Sequence, residues 1–206
     1  MQNTLSIISN SSQKFSKFVR INSIFSSMLI IPIFFIFKKI TLDGALTLGI
    51  PTLVATLNWS NFFNLNNNKI IKKEFFSFLL NVILPLLAII LFIVHPVGKD
   101  AYLYSFYWFI PVIIYFVQKL KNNNSIFLIA LASTFLAHAV GSIIWLYSIN
   151  MSSLQWLSLI PIVAVERLIF ACGMSVNYLL FKKFIEKKFK IIILVDVFLM
   201  QIWRIV

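Results

Sequence analysis

Apolar and polar positions along this chain fall into long blocks, not the short periods of a soluble helix or strand. Six mostly apolar runs stand out, at 24–37, 42–63, 75–94, 102–117, 126–149 and 154–181. Short polar separators divide them: Lys38 and Lys39, then 64–73, 95–100, 119–124 and 150–153. A helix needs about 20 apolar residues to cross the hydrocarbon of a bilayer, and flanking cations snorkel at the ends of a shorter run. The pattern predicts an all-α fold, a polytopic integral membrane bundle of six transmembrane helices. No separator is long enough to hold a soluble domain.

Cations orient the bundle. Cytoplasmic loops of membrane proteins carry the excess of Lys and Arg. With the N-terminus inside, the inner segments hold Lys14, Lys17, Arg20, Lys69, Lys72, Lys73, Lys119, Lys121, Lys182, Lys183, Lys187, Lys188 and Lys190. The outer segments hold only Lys38, Lys39 and Lys99. This bias predicts six spans with both termini cytoplasmic. Residues 1–21 read as a cytoplasmic tail without the features of a secretory signal, 22–183 as the six-helix domain, and 184–206 as a basic then apolar C-terminal helix. The stretch 191–206 contains Asp196, Gln201 and Arg204. Charges at mid-bilayer cost about 2.5–3.5 kcal/mol each on the insertion scale, so an interfacial or bundle-packed helix is favoured there over a seventh span.

Composition supports the same class. The 206 residues are 60% hydrophobic and 12% charged, with a mean hydropathy of +0.93, where soluble domains run about 45–50% apolar and about 25% charged. A soluble enzyme, a disordered chain and a disulfide scaffold are excluded, the last because Cys172 is the single cysteine. The net charge of +12 sits beside apolar runs, which points to membrane topology and away from nucleic acid. Lys far exceeds Arg, and Asn, Ile and Phe are abundant, a bias of AT-rich codons that suggests the inner membrane of a low-GC bacterium.

Ionisable residues inside a membrane are expensive and mark functional candidates. Glu166 and Arg167 lie deep in the sixth run. Adjacent helical residues point about 100° apart, so Glu166, Gly173 and Asn177 share one stripe and Arg167, Ala171, Met174 and Tyr178 the next. Two readings stand: a binding site for a charged or zwitterionic solute, or an interhelical salt bridge that fixes register. His138 shares a face of the fifth run with Ser142 and Trp145, either lining a ligand cavity or hydrogen-bonded across a packing seam. Beside it, Ser133, Ala137 and Gly141 form a small-residue row of the kind that lets helices approach closely. Asn58 lies on one face of the second run with Thr47 and Pro51, and Asn81 shares a face with Pro85. Tyr104, Trp108, Pro111 and Tyr115 share a face of the fourth run. Tyr102, Tyr104 and Tyr107 read as an interfacial aromatic belt, whereas Trp108 and Tyr115 lie deeper, suited to stacking on a planar ligand. The segment His95-Pro96-Val97-Gly98 reads as a turn in which Gly98 supplies an unusual backbone dihedral.

Signatures of soluble catalysis are missing from the sequence: no His-Glu-x-x-His, no Gly-x-Ser-x-Gly, no Gly-rich phosphate loop. His95, the other histidine, lies in a loop, so no metal site and no cofactor are expected. Six short helices in about 200 residues, both termini inside, with Trp108, His138, Trp145 and Glu166 in the later helices, resemble the substrate-binding S component of energy-coupling-factor transporters. The resemblance is mainly one of topology and size. It implies a vitamin-like small-molecule solute captured from the outer side, the lipid bilayer as surroundings, and partner transmembrane and ATPase subunits that drive uptake. Two other classes stay open: a structural or assembly subunit of a membrane complex, built on the small-residue row, and an intramembrane enzyme acting on lipid, built on Glu166 and His138.

Overall fold

The computed structural model describes the backbone of residues 42–63, 70–121 and 125–203, and the side chains of 49–63, 73–121 and 125–184. The predicted first helix, at 24–37, and the N-terminal tail lie outside the described residues. Among those described, every regular element is helical. Four helices are long and apolar enough to cross a membrane: Lys73–Val94, Tyr102–Lys121, Ile126–Ser148 and Ile160–Phe184.

Helix α1, Leu42–Phe62, contains Pro51. Proline removes a backbone donor and leaves a slight groove on its helix. That position faces Gly141, where an added Cβ would sit 3.4 Å from Pro51 Cγ. The end of α1 is tied to the next helix by two contacts: Lys73 Nζ donates to the Phe62 carbonyl at 3.2 Å and Asn61 Nδ2 to the Lys73 carbonyl at 3.3 Å. A cation on the last carbonyls of a helix satisfies acceptors that have no intrahelical partner.

The next span is one continuous rod with a defect in it. It runs as α2, Ile70–Phe78, a π turn, Leu79–Ile83, and α3, Leu84–Val94. Within the turn Leu84 donates to the Leu79 carbonyl, five residues back. Pro85 follows at once. In a regular α-helix its ring would collide with the carbonyl of Asn81, and widening the turn relieves that clash. The helix thus starts earlier than the apolar run at 75–94 and is not uniformly α.

After Val94 the chain turns at His95, whose ψ of 136° ends the helix. A short helix α4, Pro96–Asp100, follows. Gly98 is required there for space: a Cβ would collide with the Phe92 carbonyl, and the φ of Gly98 is not left-handed. The predicted dihedral role is thereby corrected to a steric one. The next long helix begins as a 3₁₀ turn, Tyr102–Trp108, before becoming α5, Phe109–Lys121.

Helix α6, Ile126–Ser148, matches its apolar run to one residue, with Ser125 capping the N-terminus through the Leu128 amide. It is the central element, in contact with α1, α3, α5, the 3₁₀ turn and α8. The sixth run is two helices: α7, Ser153–Ser158, and α8, Ile160–Trp203. Ser152 and Gln155 form a reciprocal capping box that starts α7. Pro161 ends it, because proline at that position has no N–H to offer Leu157 and is tolerated only in the first turn of the following helix.

Two apolar cores result. One lies at the end bearing α4 and α7 and is built on Phe92, Tyr104, Trp108, Phe135 and Trp156. A smaller one, at the Lys-rich end, gathers Trp59, Phe63, Ala130 and Ala171. Around both, Leu87, Ile90, Ile113, Phe116, Ile169 and Leu179 are exposed. An outward apolar surface of this kind suits lipid.

Candidate functional site: a polar centre walled by aromatic rings

Tyr104 is the hub. It is buried, and its hydroxyl lies 2.8 Å from His138 Nε2 and 3.4 Å from Ser142 Oγ. The 3₁₀ turn supplies Tyr104 and α6 supplies His138 and Ser142, one helical turn apart on the same face. Rings enclose the hydroxyl's own ring. Phe92 stacks on Tyr104 at 5.7 Å, and Trp156 meets it edge-on at 5.0 Å. Trp108 lies edge-on to Tyr104 at 6.3 Å and to Phe92 at 5.2 Å, and Trp156 is edge-on to Phe92 at 5.4 Å. Tyr107 stacks on Phe135 at 5.6 Å and donates to the Ile160 carbonyl at 2.7 Å, which fastens the 3₁₀ turn to the start of α8.

Three N–H groups of this region have no acceptor. Trp108 Nε1, Trp156 Nε1 and Arg167 Nε are buried without a hydrogen-bond partner. Trp108 is 0% and Trp156 2% exposed, so bulk water does not serve them. A buried donor without an acceptor costs about 1–3 kcal/mol, and a native fold carries a few such groups per hundred residues. His95 Nδ1 is also unpartnered, and the His95 ring meets Tyr147 edge-on at 5.0 Å.

Arg167 lies on α8. Its Nη2 is 2.7 Å from Glu166 Oε2, and its guanidinium lies 5.0 Å from the Phe170 ring. The acid–base pair therefore closes within one helix, not between helices. The two side chains are long enough to span the 100° that separates their Cα positions. Arg167 is 15% exposed and Glu166 46%, so the cation faces inward and the carboxylate outward.

A second polar group lies toward the Lys-rich end. Asn58 and Asn81 exchange amide hydrogen bonds, Asn81 Nδ2 to Asn58 Oδ1 at 2.7 Å and Asn58 Nδ2 to Asn81 Oδ1 at 3.1 Å. Asn58 Nδ2 also donates to Ser133 Oγ at 3.1 Å, and Asn81 Nδ2 to the Ser77 carbonyl at 2.9 Å. Asn58, Asn81 and Ser133 are all buried. This clasp joins α1, the π turn and α6.

The sequence candidates thus separate. His138 and Trp108 come together at the hub, and Arg167 pairs with Glu166 on α8. Asn58 belongs to the clasp. Ser133 and Gly141 pack on α1, with Ala137 half-buried between them. Tyr115 sits away from the hub, against Phe78 at 5.9 Å and under Lys119 at 5.9 Å. Trp145, 42% exposed, and Asn177 face outward, so the face shared by His138 and Trp145 does not line one site. Trp156 is the hub residue that the apolar pattern misses, and Tyr104 moves from the aromatic belt into the interior. Among the described residues no group of His, Cys, Asp and Glu is arranged to hold a metal. No protein-family profile, curated protein or solved structure matches the chain.

Proposed function

We propose that this chain is a solute-binding subunit of a membrane uptake system, taking a small planar molecule at the Tyr104–His138 hub and handing it on with the help of partner subunits. The observation that carries this reading is the pair of unpartnered indole N–H groups, Trp108 Nε1 and Trp156 Nε1, on the rings that pack against Tyr104. In a low-dielectric interior a polar group without a partner is costly, and binding sites are where such cost is offset by a ligand. The hub also lies beneath α4 and α7, the end that the Lys distribution puts outside, so a solute arriving from outside meets it first. A bacterial inner membrane, with an ATPase and a coupling subunit as partners, completes the reading.

The assembly alternative drew on Ser133, Ala137 and Gly141. Ser133 and Gly141 are engaged with α1 of the same chain, which leaves that row little surface for a partner.

The test is a thermal-shift screen of the purified protein against small planar solutes: purine and pyrimidine bases, pyridine carboxylates and isoalloxazines. A stabilising compound is expected whose effect disappears in Trp108→Phe and in His138→Ala but persists in Asn177→Ala. A screen without a hit, or a hit indifferent to the hub variants, rejects the proposal.

A further inference from the structure

We propose that two copies of this chain pair side by side in the membrane through the outward face of α8, crossing at Gly173, with the two Asn177 amides bonded to each other. The helix packs mainly on α6. It turns Val163, Ala171 and Ser175 inward, where all three are buried. Ser175 closes its hydroxyl on the Ala171 carbonyl at 2.7 Å. The other side of the same helix holds Glu166, Gly173 and Asn177, all exposed. At about 100° per residue these three lie within about 40° of one another, so they form one stripe. The stripe falls inside the apolar crossing segment Ile160–Phe184, with Gly173 next to its midpoint. Ile169 and Val176 beside it are exposed too.

Lipid is a poor neighbour for such a stripe. Hydrocarbon offers an amide no hydrogen-bond partner, and ionisable side chains at membrane depth as a rule face protein. Nothing lies within 4 Å of where a Cβ on Gly173 would stand, so the backbone itself is laid bare there. A small residue with polar side chains near it is the kind of surface on which transmembrane helices approach closely and bond. Three properties of the stripe make a second copy its occupant. Copies of one chain insert the same way round, so a two-fold axis along the membrane normal sets each residue against itself at equal depth. An amide complements itself, having both donors and an acceptor, and reciprocal amide bonding is what Asn58 and Asn81 already do inside this chain. Glu166 brings its own counterion, Arg167 Nη2 at 2.7 Å. The face therefore does not call for a partner bearing a cation, and two such faces meet without unbalanced charge.

The experiment uses the full chain in phosphatidylcholine vesicles at low protein density. Leu179 and Leu180 are both exposed and point about 100° apart. Leu180 continues the stripe two turns beyond Gly173, and Leu179 lies off it. With Cys172→Ser removing the single native cysteine, oxidation is expected to give a disulfide dimer from Leu180→Cys and not from Leu179→Cys. Single-molecule photobleaching of the labelled chain is expected to show two-step traces. Gly173→Ile is expected to reduce them to single steps, and Asn177→Val to weaken pairing about threefold, while Asn177→Gln retains it and thermal unfolding shows each fold intact. Single-step bleaching of the unmutated chain at every protein-to-lipid ratio overturns the proposal. Dimers that survive Gly173→Ile, or equal cross-linking from the two leucine positions, overturn the assignment to this face. A disulfide formed within one chain between Leu180→Cys and Ser27→Cys means that residues 24–37 cover the stripe, and it overturns the proposal as well.

Discussion

The clasp and the hub are both buried polar groups between helices of the same bundle, yet one is closed and the other open. Asn58 and Asn81 present matched amides, and each donates to the other. Ser133 takes a remaining proton. At the hub, Tyr104 and His138 satisfy each other, but the indole N–H groups of Trp108 and Trp156 have no partner within the chain. In hydrocarbon no solvent is at hand to repair a missing bond. A closed network of this kind locks register between the helices it joins.

Opposite responses to mutation would express this contrast, and the largest is expected in the clasp. Asn58→Leu strands the Asn81 amide and should lower stability by about 2 kcal/mol, read as a drop in the thermal unfolding midpoint in detergent. Asn58→Leu/Asn81→Leu removes both partners and is expected to recover most of that loss, since replacing a matched pair by apolar groups is nearly neutral. Full additivity of the two single changes would break the picture of a reciprocal pair. At the hub, Tyr104→Phe deletes the bond to His138 and is expected to cost about 1 kcal/mol, with loss of solute binding as well. The smallest effect carries the opposite sign. Trp156→Phe discards an unsatisfied donor while keeping a ring, so stability should stay level or rise by up to about 1 kcal/mol, whereas binding should fall. A clear destabilisation by Trp156→Phe would mean that the indole N–H is serving the fold and would erase the distinction.

Sequence reasoning reaches the elements more surely than their neighbours. Length and apolarity suffice for α6 and for the spans ending at Val94 and Lys121, because hydrocarbon thickness dictates both. His138, Arg167 and Asn58 are legible as candidates for the same reason: deep polar groups are costly wherever they point. Their division between two sites is not legible, since periodicity gives a face and not the helix opposite it. Tyr104 illustrates the difficulty. An aromatic residue at the start of a span reads as interfacial, and only the 3₁₀ turn, which changes the angular step per residue, brings it inward beside Phe92. Trp156 was within reach, because Ser152-Ser153-Leu154-Gln155 spells a capping box and Pro161 spells a stop. Together they mark a short helix where an unbroken apolar run suggests part of a long one. The Gly98 requirement was out of reach, as it depends on the carbonyl of Phe92 passing close by.

The π turn at Leu79–Ile83 has one more consequence. It carries one residue beyond what the α repeat accommodates, and so shifts the phase of the rod by about 100° between its two halves. Within it, Asn81 addresses α1; beyond it, Ala88 and Phe92 address the aromatic centre. A single straight helix has only one inward azimuth, and this span has been given two.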